Sequence, residues 1–218
     1  VQLRSGVEFK VPGESLFLKG LQKPAEGADL PPPGCPGNPF QARGIFFSAL
    51  YDRMQAYRDP NLPPLVPSSM TIWGHESPVF LHKAKVEMFD EVKPRLACSV
   101  YHGALEFCRC KADADNLGFC LPSQLCTGGV LITALADSGG SFKALPGTYV
   151  EVDGLPYAGS CQSAYQPGGP VACEVRGKIQ DGLTVTYKFD LRNTPPGQML
   201  ALDRAIRASV LDYVVGKN

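Results

Sequence analysis

Val171-Ala-Cys-Glu-Val-Arg176-Gly-Lys-Ile-Gln180-Asp-Gly182-Leu183-Thr-Val-Thr-Tyr-Lys-Phe189 is the stretch whose reading decides the fold. Two runs with alternating patterning, Val171 to Arg176 and Leu183 to Phe189, flank Gln180-Asp181-Gly182. Asp-Gly between such runs is a strong short-range hairpin signal, so the stretch predicts two antiparallel strands. A helix follows directly. Thr194 is a capping residue and Pro195 suits the first helical position. Met199, Leu202, Ala205, Ile206, Ser209, Val210, Tyr213 and Val214 then recur at three- and four-residue steps, and Gly216 is a terminator. Asp203, Arg204, Arg207 and Asp212 lie largely off that stripe. A helix with one apolar face must bury it, and the sheet offers the surface. The expectation is an α+β fold: a mainly antiparallel β-sheet, stapled by disulfides, with a C-terminal amphipathic helix packed on it.

Moving outward toward the N-terminus, Val7, Phe9 and Val11 alternate with Glu8 and Lys10. Pro12-Gly13 then turns the chain into Leu16-Phe-Leu-Lys19, which predicts a hairpin. From Lys23 to Pro39 the prolines exclude helix and central strand, and Cys35 is the natural anchor of that loop. Ala42 to Tyr57 fits both periods, and the aromatic run after Gly44 assigns strand to its first half. Met70 to Trp73 and Val79 to Leu81 read as short strands, and Lys85 to Phe89 alternates. Leu96 to Cys110 reads as two strands around His102-Gly103. Gly129 to Ala136 reads as a buried strand, and Thr148 to Val152 alternates. The organisation is a single domain over 1–218, and the proline cluster from Pro60 to Pro67 marks where a division into 1–67 and 68–218 would fall.

Composition bounds the function classes. The 218 residues carry 21 basic and 21 acidic side chains. A net charge of zero provides no general attraction to nucleic acid or anionic lipid. No apolar run approaches the ~20 residues of a membrane span. The chain opens on Val1 without a basic-plus-apolar leader, as a mature or trimmed product would, and a lipid anchor upstream of Val1 is compatible with this. The eight cysteines are Cys35, Cys98, Cys108, Cys110, Cys120, Cys126, Cys161 and Cys173. Their even number predicts disulfides and an oxidising compartment, periplasmic or secreted. Expected pairs are Cys161 with Cys173, and Cys108 or Cys110 with Cys120 or Cys126.

Catalytic and metal templates fail on spacing. The cysteines form no pair of Cys-x2–4-Cys motifs for zinc and no Cys-x-x-Cys for thiol exchange. Asp113-Ala-Asp115-Asn116-Leu117-Gly118 begins like a calcium loop, but Leu117 and Gln124 stand where oxygen ligands are required. Asp137-Ser138-Gly139-Gly140 matches the string around the nucleophile of trypsin-like proteases. No histidine stands in the matching context, and His102 lies only 36 residues before Ser138. His75 and His82 are seven apart, which fits no helical metal pair, and both read as loop residues near Trp73. No catalytic residue, metal or cofactor is therefore assigned. Two loops have contact chemistry. One carries Asp113, Asp115 and Asn116, and its acidic tip suits a basic patch or a positive cleft. The other carries Tyr157 and Tyr165 among Ser, Gly and Gln.

The N-terminal Val7-Glu-Phe-Lys-Val-Pro, the proline-rich loops, the cysteine-bearing strands and the Met199-Leu-Ala-Leu-Asp-Arg-Ala-Ile-Arg-Ala-Ser-Val-Leu helix follow one another in a recognisable layout. In that layout the chain resembles periplasmic lipoproteins that act as immunity proteins for type VI secretion effectors. The resemblance implies a non-catalytic protein that neutralises a toxin by surface complementarity, and it transfers no functional residues. Two other readings stand beside it: a secreted, disulfide-rich virulence effector acting on host proteins, and an atypical hydrolase using Ser138 and His102.

Overall fold

The computed structural model describes residues 1–11, 16–22, 38–61, 64, 66–92, 99–102, 105–108, 140–144, 147–163 and 171–215. Along the chain come β1 (Gln2–Leu3), β2 (Leu16–Lys19), β3 (Gln41–Ala42), β4 (Gly44–Phe47), α1 (Ala49–Gln55), β5 (Ser69–Trp73) and α2 (Ser77–Val92). Then follow β6 (Ser99–His102), β7 (Leu105–Cys108), β8 (Gly140–Ala144), β9 (Ala158–Ser163), β10 (Val171–Gln180) and β11 (Leu183–Asp190). A 3-10 turn over Pro196–Gln198 leads into α3 (Met199–Asp212).

The Asp181-Gly182 hairpin forms the middle of the sheet. Gly182 takes φ +70°, the left-handed conformation that the turn requires. β10 and β11 pair antiparallel from Ala172 opposite Asp190 to Gln180 opposite Leu183, with a register shift between Lys178 and Gln180. Strands β6 to β11 follow one another across the sheet as a meander. Beyond β11 the order continues with β5, β4 and β2, which makes nine antiparallel strands among the described residues. Strands from both sides of residue 67 thus belong to one sheet, because β4 and β5 pair directly.

Alternation divides the sheet into two faces. Val175, Ile179, Val185, Tyr187, Phe189, Met70, Ile72, Ile45, Phe47 and Phe142 point inward and are buried. Glu174, Arg176 and Lys188 point to the other face, where they pair with one another across β10 and β11. Helix α3 covers the inner face with Met199, Leu202, Ala205, Ile206 and Val210, and α1 adds Leu50 and Met54 to the same core. Tyr213, just past α3, meets Phe47 edge-on with ring centroids 4.8 Å apart. Cys161 and Cys173 face each other across β9 and β10 and form the expected disulfide.

Four local expectations are corrected. Val7 to Val11 does not fold back on β2. Phe9 bridges to Val214, and Lys10 N–H donates to the Tyr213 carbonyl, so the N-terminal segment pairs with the chain after α3. Val79 to Leu81 and Lys85 to Phe89 are not strands but parts of α2. An alternation over three to five residues spans about one helical turn, too short to separate the two periods. Pro78 lies in the first turn of α2, where its missing N–H has no helical partner. Thr148 to Val152 alternates with reversed polarity: Glu151 is buried while Val150 and Val152 are exposed. Finally, Thr194 does not cap the C-terminal helix. Its N–H donates to the Asp190 carbonyl, and the 3-10 turn at Pro196 intervenes before α3 begins.

Candidate functional site

Four elements bring seven ionisable side chains together under the inner face. Helix α2 buries one residue per turn, Pro78, His82 and Val86, and so delivers His82 inward. The segment from Tyr149 to Tyr157 forms a tight hairpin. Val150 bridges Pro156, Glu151 N–H donates to the Leu155 carbonyl, and Gly154 turns the chain at φ +80°. Asp153 Oδ1 accepts the Leu155 N–H at 3.0 Å, which leaves Oδ2 directed at His82. Helix α3 contributes Asp203 and Arg207, one turn apart. Strand β11 contributes Tyr187.

The network begins at Asp203. Its Oδ1 accepts from Tyr187 at 2.9 Å, and its Oδ2 accepts from Tyr149 at 2.7 Å and from Arg207 Nε at 2.6 Å. Arg207 also donates to the Lys178 carbonyl beside the register shift in β10. Its remaining nitrogen lies 2.8 Å from Glu151 Oε2. A side chain at residue 177 would collide with that contact, 2.6 Å from the Arg207 nitrogen, so only glycine lets the ion pair lie against β10. Glu151 Oε2 is 3.6 Å from His82 Nδ1, and Asp153 Oδ2 is 3.4 Å from the same nitrogen. His82 Nε2 is 3.0 Å from the Pro156 carbonyl.

The electrostatics follow from burial and charge. Burial pushes Glu151 up to about 8, against the pull of the Arg207 charge. Burial would lower His82, but its hydrogen bond to Asp153 and the charges of Glu151 and Asp153 outweigh that, and the imidazole is raised overall. For Asp153, burial acts upward. The His82 contact and the Leu155 N–H outweigh it and hold the carboxyl below its ordinary range. Burial holds the Tyr157 and Tyr187 hydroxyls protonated, well above their usual range.

His82, Glu151 and Asp153 form the one group of three ligand-type side chains found close together among the described residues, with one atom from each within 4.8 Å of the others. The imidazole and carboxylates have proton-transfer and metal-binding chemistry. They are sealed, however: the His82 and Glu151 side chains are fully buried, and Asp153 is nearly so. The pockets lined by Ser160, Ala172, Glu174 and Lys188, and by Lys10, Val11, Asp212 and Tyr213, take in none of these groups.

The residues assigned from sequence do not include this cluster. Tyr157, expected on a contact loop, is fully buried. It packs against Phe142 and Tyr149, and its hydroxyl lies 3.3 Å from the Tyr187 hydroxyl, whose proton goes to Asp203. Asp113, Asp115, Asn116, Tyr165 and Ser138 lie outside the described residues, as do Cys35, Cys98, Cys110, Cys120 and Cys126. Cys108 and His102 lie on β7 and β6, with Cys108 opposite Ser99 and Ser141. His82 is not a loop residue but the buried centre of the cluster. Its signal in the sequence was the Pro78-His82-Val86 step of four. No protein-family model, curated protein or solved structure matches the chain.

Proposed function

We propose that the protein is a non-catalytic binder of another protein, of the toxin-neutralising kind that the sequence layout implies, working in an oxidising compartment. The observation that carries this reading is a set of exposed apolar side chains on the two elements that meet at His82. Phe80 is 72% exposed and Leu81 40% on α2, and Val150 is 56% and Val152 64% exposed on the hairpin. Phe80 and Leu81 directly precede His82, while Val150 and Val152 flank Glu151. Inward, these segments are fixed by the polar network; outward, they present apolar surface. Exposed apolar side chains on a rigid support are the usual make-up of a protein-binding surface. The Cys161–Cys173 bridge suits the oxidising compartment.

Phe80→Asp and Val152→Asp test the reading, since both side chains point to solvent and their loss leaves the core intact. Bait protein is compared with the two variants in capture from an oxidised extract of the source organism. The expected result is one partner retained by the bait and lost with either variant, and relief of that partner's toxicity on co-expression. Equal capture by all three proteins, or a partner that is harmless when expressed alone, would overturn it.

A further inference from the structure

We propose that His82, Glu151 and Asp153 bind one divalent transition-metal ion, of which Zn2+ is the representative, clasping α2 to the hairpin from Tyr149 to Tyr157. The two spacings from the imidazole fit, and all three ligand atoms lie within 4.8 Å of one another. Four-coordinate zinc, with bonds of about 2.0–2.2 Å, sets its ligand atoms about 3.4 Å apart. His82 Nδ1 lies 3.4 Å from Asp153 Oδ2 and 3.6 Å from Glu151 Oε2.

The orientation of the imidazole is the second argument. A backbone carbonyl only accepts, so the 3.0 Å contact to Pro156 requires the proton on Nε2. In the neutral ring Nδ1 is then a bare lone pair facing two carboxylates. Three acceptors directed at one another repel unless a cation lies between them, either a proton on Nδ1, which makes the contact a hydrogen bond to Asp153, or a metal ion. Metal-bound histidines are oriented in this way, with the far ring N–H donated to a carbonyl.

Charge and hydrogen bonding add a third and a fourth. Arg207 pairs with Asp203 and Glu151, so with all three carboxylates of Asp203, Glu151 and Asp153 ionised and His82 neutral, the state that a bound cation favours, two negative charges exceed the one guanidinium. A divalent ion matches that deficit. Glu151, buried with the cluster, has an Oε1 that accepts no hydrogen bond from any described residue and is free to serve as a further donor atom. One imidazole with two carboxylates suits zinc and its neighbours better than calcium or magnesium, which prefer all-oxygen shells. Asp153, the least buried of the three, marks the side of entry.

The site stands apart from the partner-binding reading, because it is measured on the isolated protein. Oxidised protein with its free thiols alkylated is stripped with chelator and titrated with Zn2+ by calorimetry. Thermal unfolding is followed with and without the ion. One equivalent per chain and a rise in Tm that chelator reverses are expected. Asp153→Asn preserves shape and removes a ligand, so it should weaken binding by at least about tenfold, the lower bound seen even for the outer shell. Surface Asp59→Asn should change nothing. A wild type that takes up no zinc and gains no Tm would overturn the proposal and leave a proton on Nδ1 as the occupant. Equal affinity in wild type and Asp153→Asn would overturn it too. Should Asp153→Asn fail to fold, Co2+ bound to the wild type decides: a nitrogen–oxygen four-coordinate spectrum is expected, and the weak spectrum of six-coordinate, solvent-bound Co2+ would sink the assignment.

Discussion

Arg207 holds the polar network together, because one guanidinium reaches Asp203, Glu151 and the Lys178 carbonyl at once. The side chain is mostly buried, so these contacts are little screened by water. Replacing it with an apolar group of similar length leaves two buried carboxylates without their cation, and removing one member of a buried ion pair costs about 3–5 kcal/mol. Arg207→Met should therefore lower the urea midpoint by an amount corresponding to that loss. Arg207→Met within about 1 kcal/mol of wild type would show that the carboxylates take up protons or water at little cost. None of this was legible from the helix alone. Asp203 and Arg207 stand off the apolar stripe of α3, and on one helix an off-stripe charge reads as solvent-facing. Their partners come from Tyr149, Glu151 and Tyr187, on other elements, so the signal was tertiary. Gly177 is similar: its need for a missing side chain appears only once Glu151 and Arg207 are in place.

At the scale of elements, alternation and turn chemistry foretold what local physics decides. The β10–β11 hairpin followed from Asp181-Gly182, and the Cys161–Cys173 bridge from two cysteines flanking one loop. The position of that bridge also fixes its effect. The two cysteines are directly opposed on neighbouring strands at a sequence separation of 12, and both are buried in the core. Closing a loop of about this length restricts the unfolded chain by roughly 3 kcal/mol. The double variant Cys161→Ala, Cys173→Ala should lose about that much in urea unfolding. Reductant, which opens every bridge, should lower the wild-type midpoint at least as far, and a wild type insensitive to reductant would contradict the bridge. Helix α2 was illegible for the opposite reason. Its buried stripe holds a proline and a histidine, so hydrophobicity does not mark it, and its outward positions include the apolar Phe80 and Leu81. The polarity of the stripe follows from what it covers, the carboxylates of the hairpin, rather than from its own composition.

At the scale of the whole molecule, the described residues make two layers: a nine-stranded sheet with helices on its inner side and charged, paired side chains on the other. The α+β class and the packing of the C-terminal helix were legible because period-2 and period-3.6 patterns each persist over many residues there. Which face of β2 and β4 turns inward was not, since Leu16-Phe-Leu-Lys19 and Gly44-Ile-Phe-Phe47 carry apolar residues on both sides. The structure resolves the choice with a pair of phenylalanines. Phe47 is fully buried and packs edge-on against Tyr213 at the end of α3. Phe17 is 65% exposed on the opposite face, stacked on Phe46 with centroids 6.4 Å apart. Removing a buried Phe ring forfeits transfer energy and leaves a cavity, about 3–5 kcal/mol. Removing an exposed one loses at most the aromatic pair, about 1 kcal/mol. Phe47→Ala should thus unfold at much lower urea than Phe17→Ala, with Phe17→Ala close to wild type. The two substitutions remove the same atoms from neighbouring strands, so composition and helix content are matched, and only the side to which each ring points separates them. Equal losses would mean that the outer face is covered as well and that the two-layer description is incomplete.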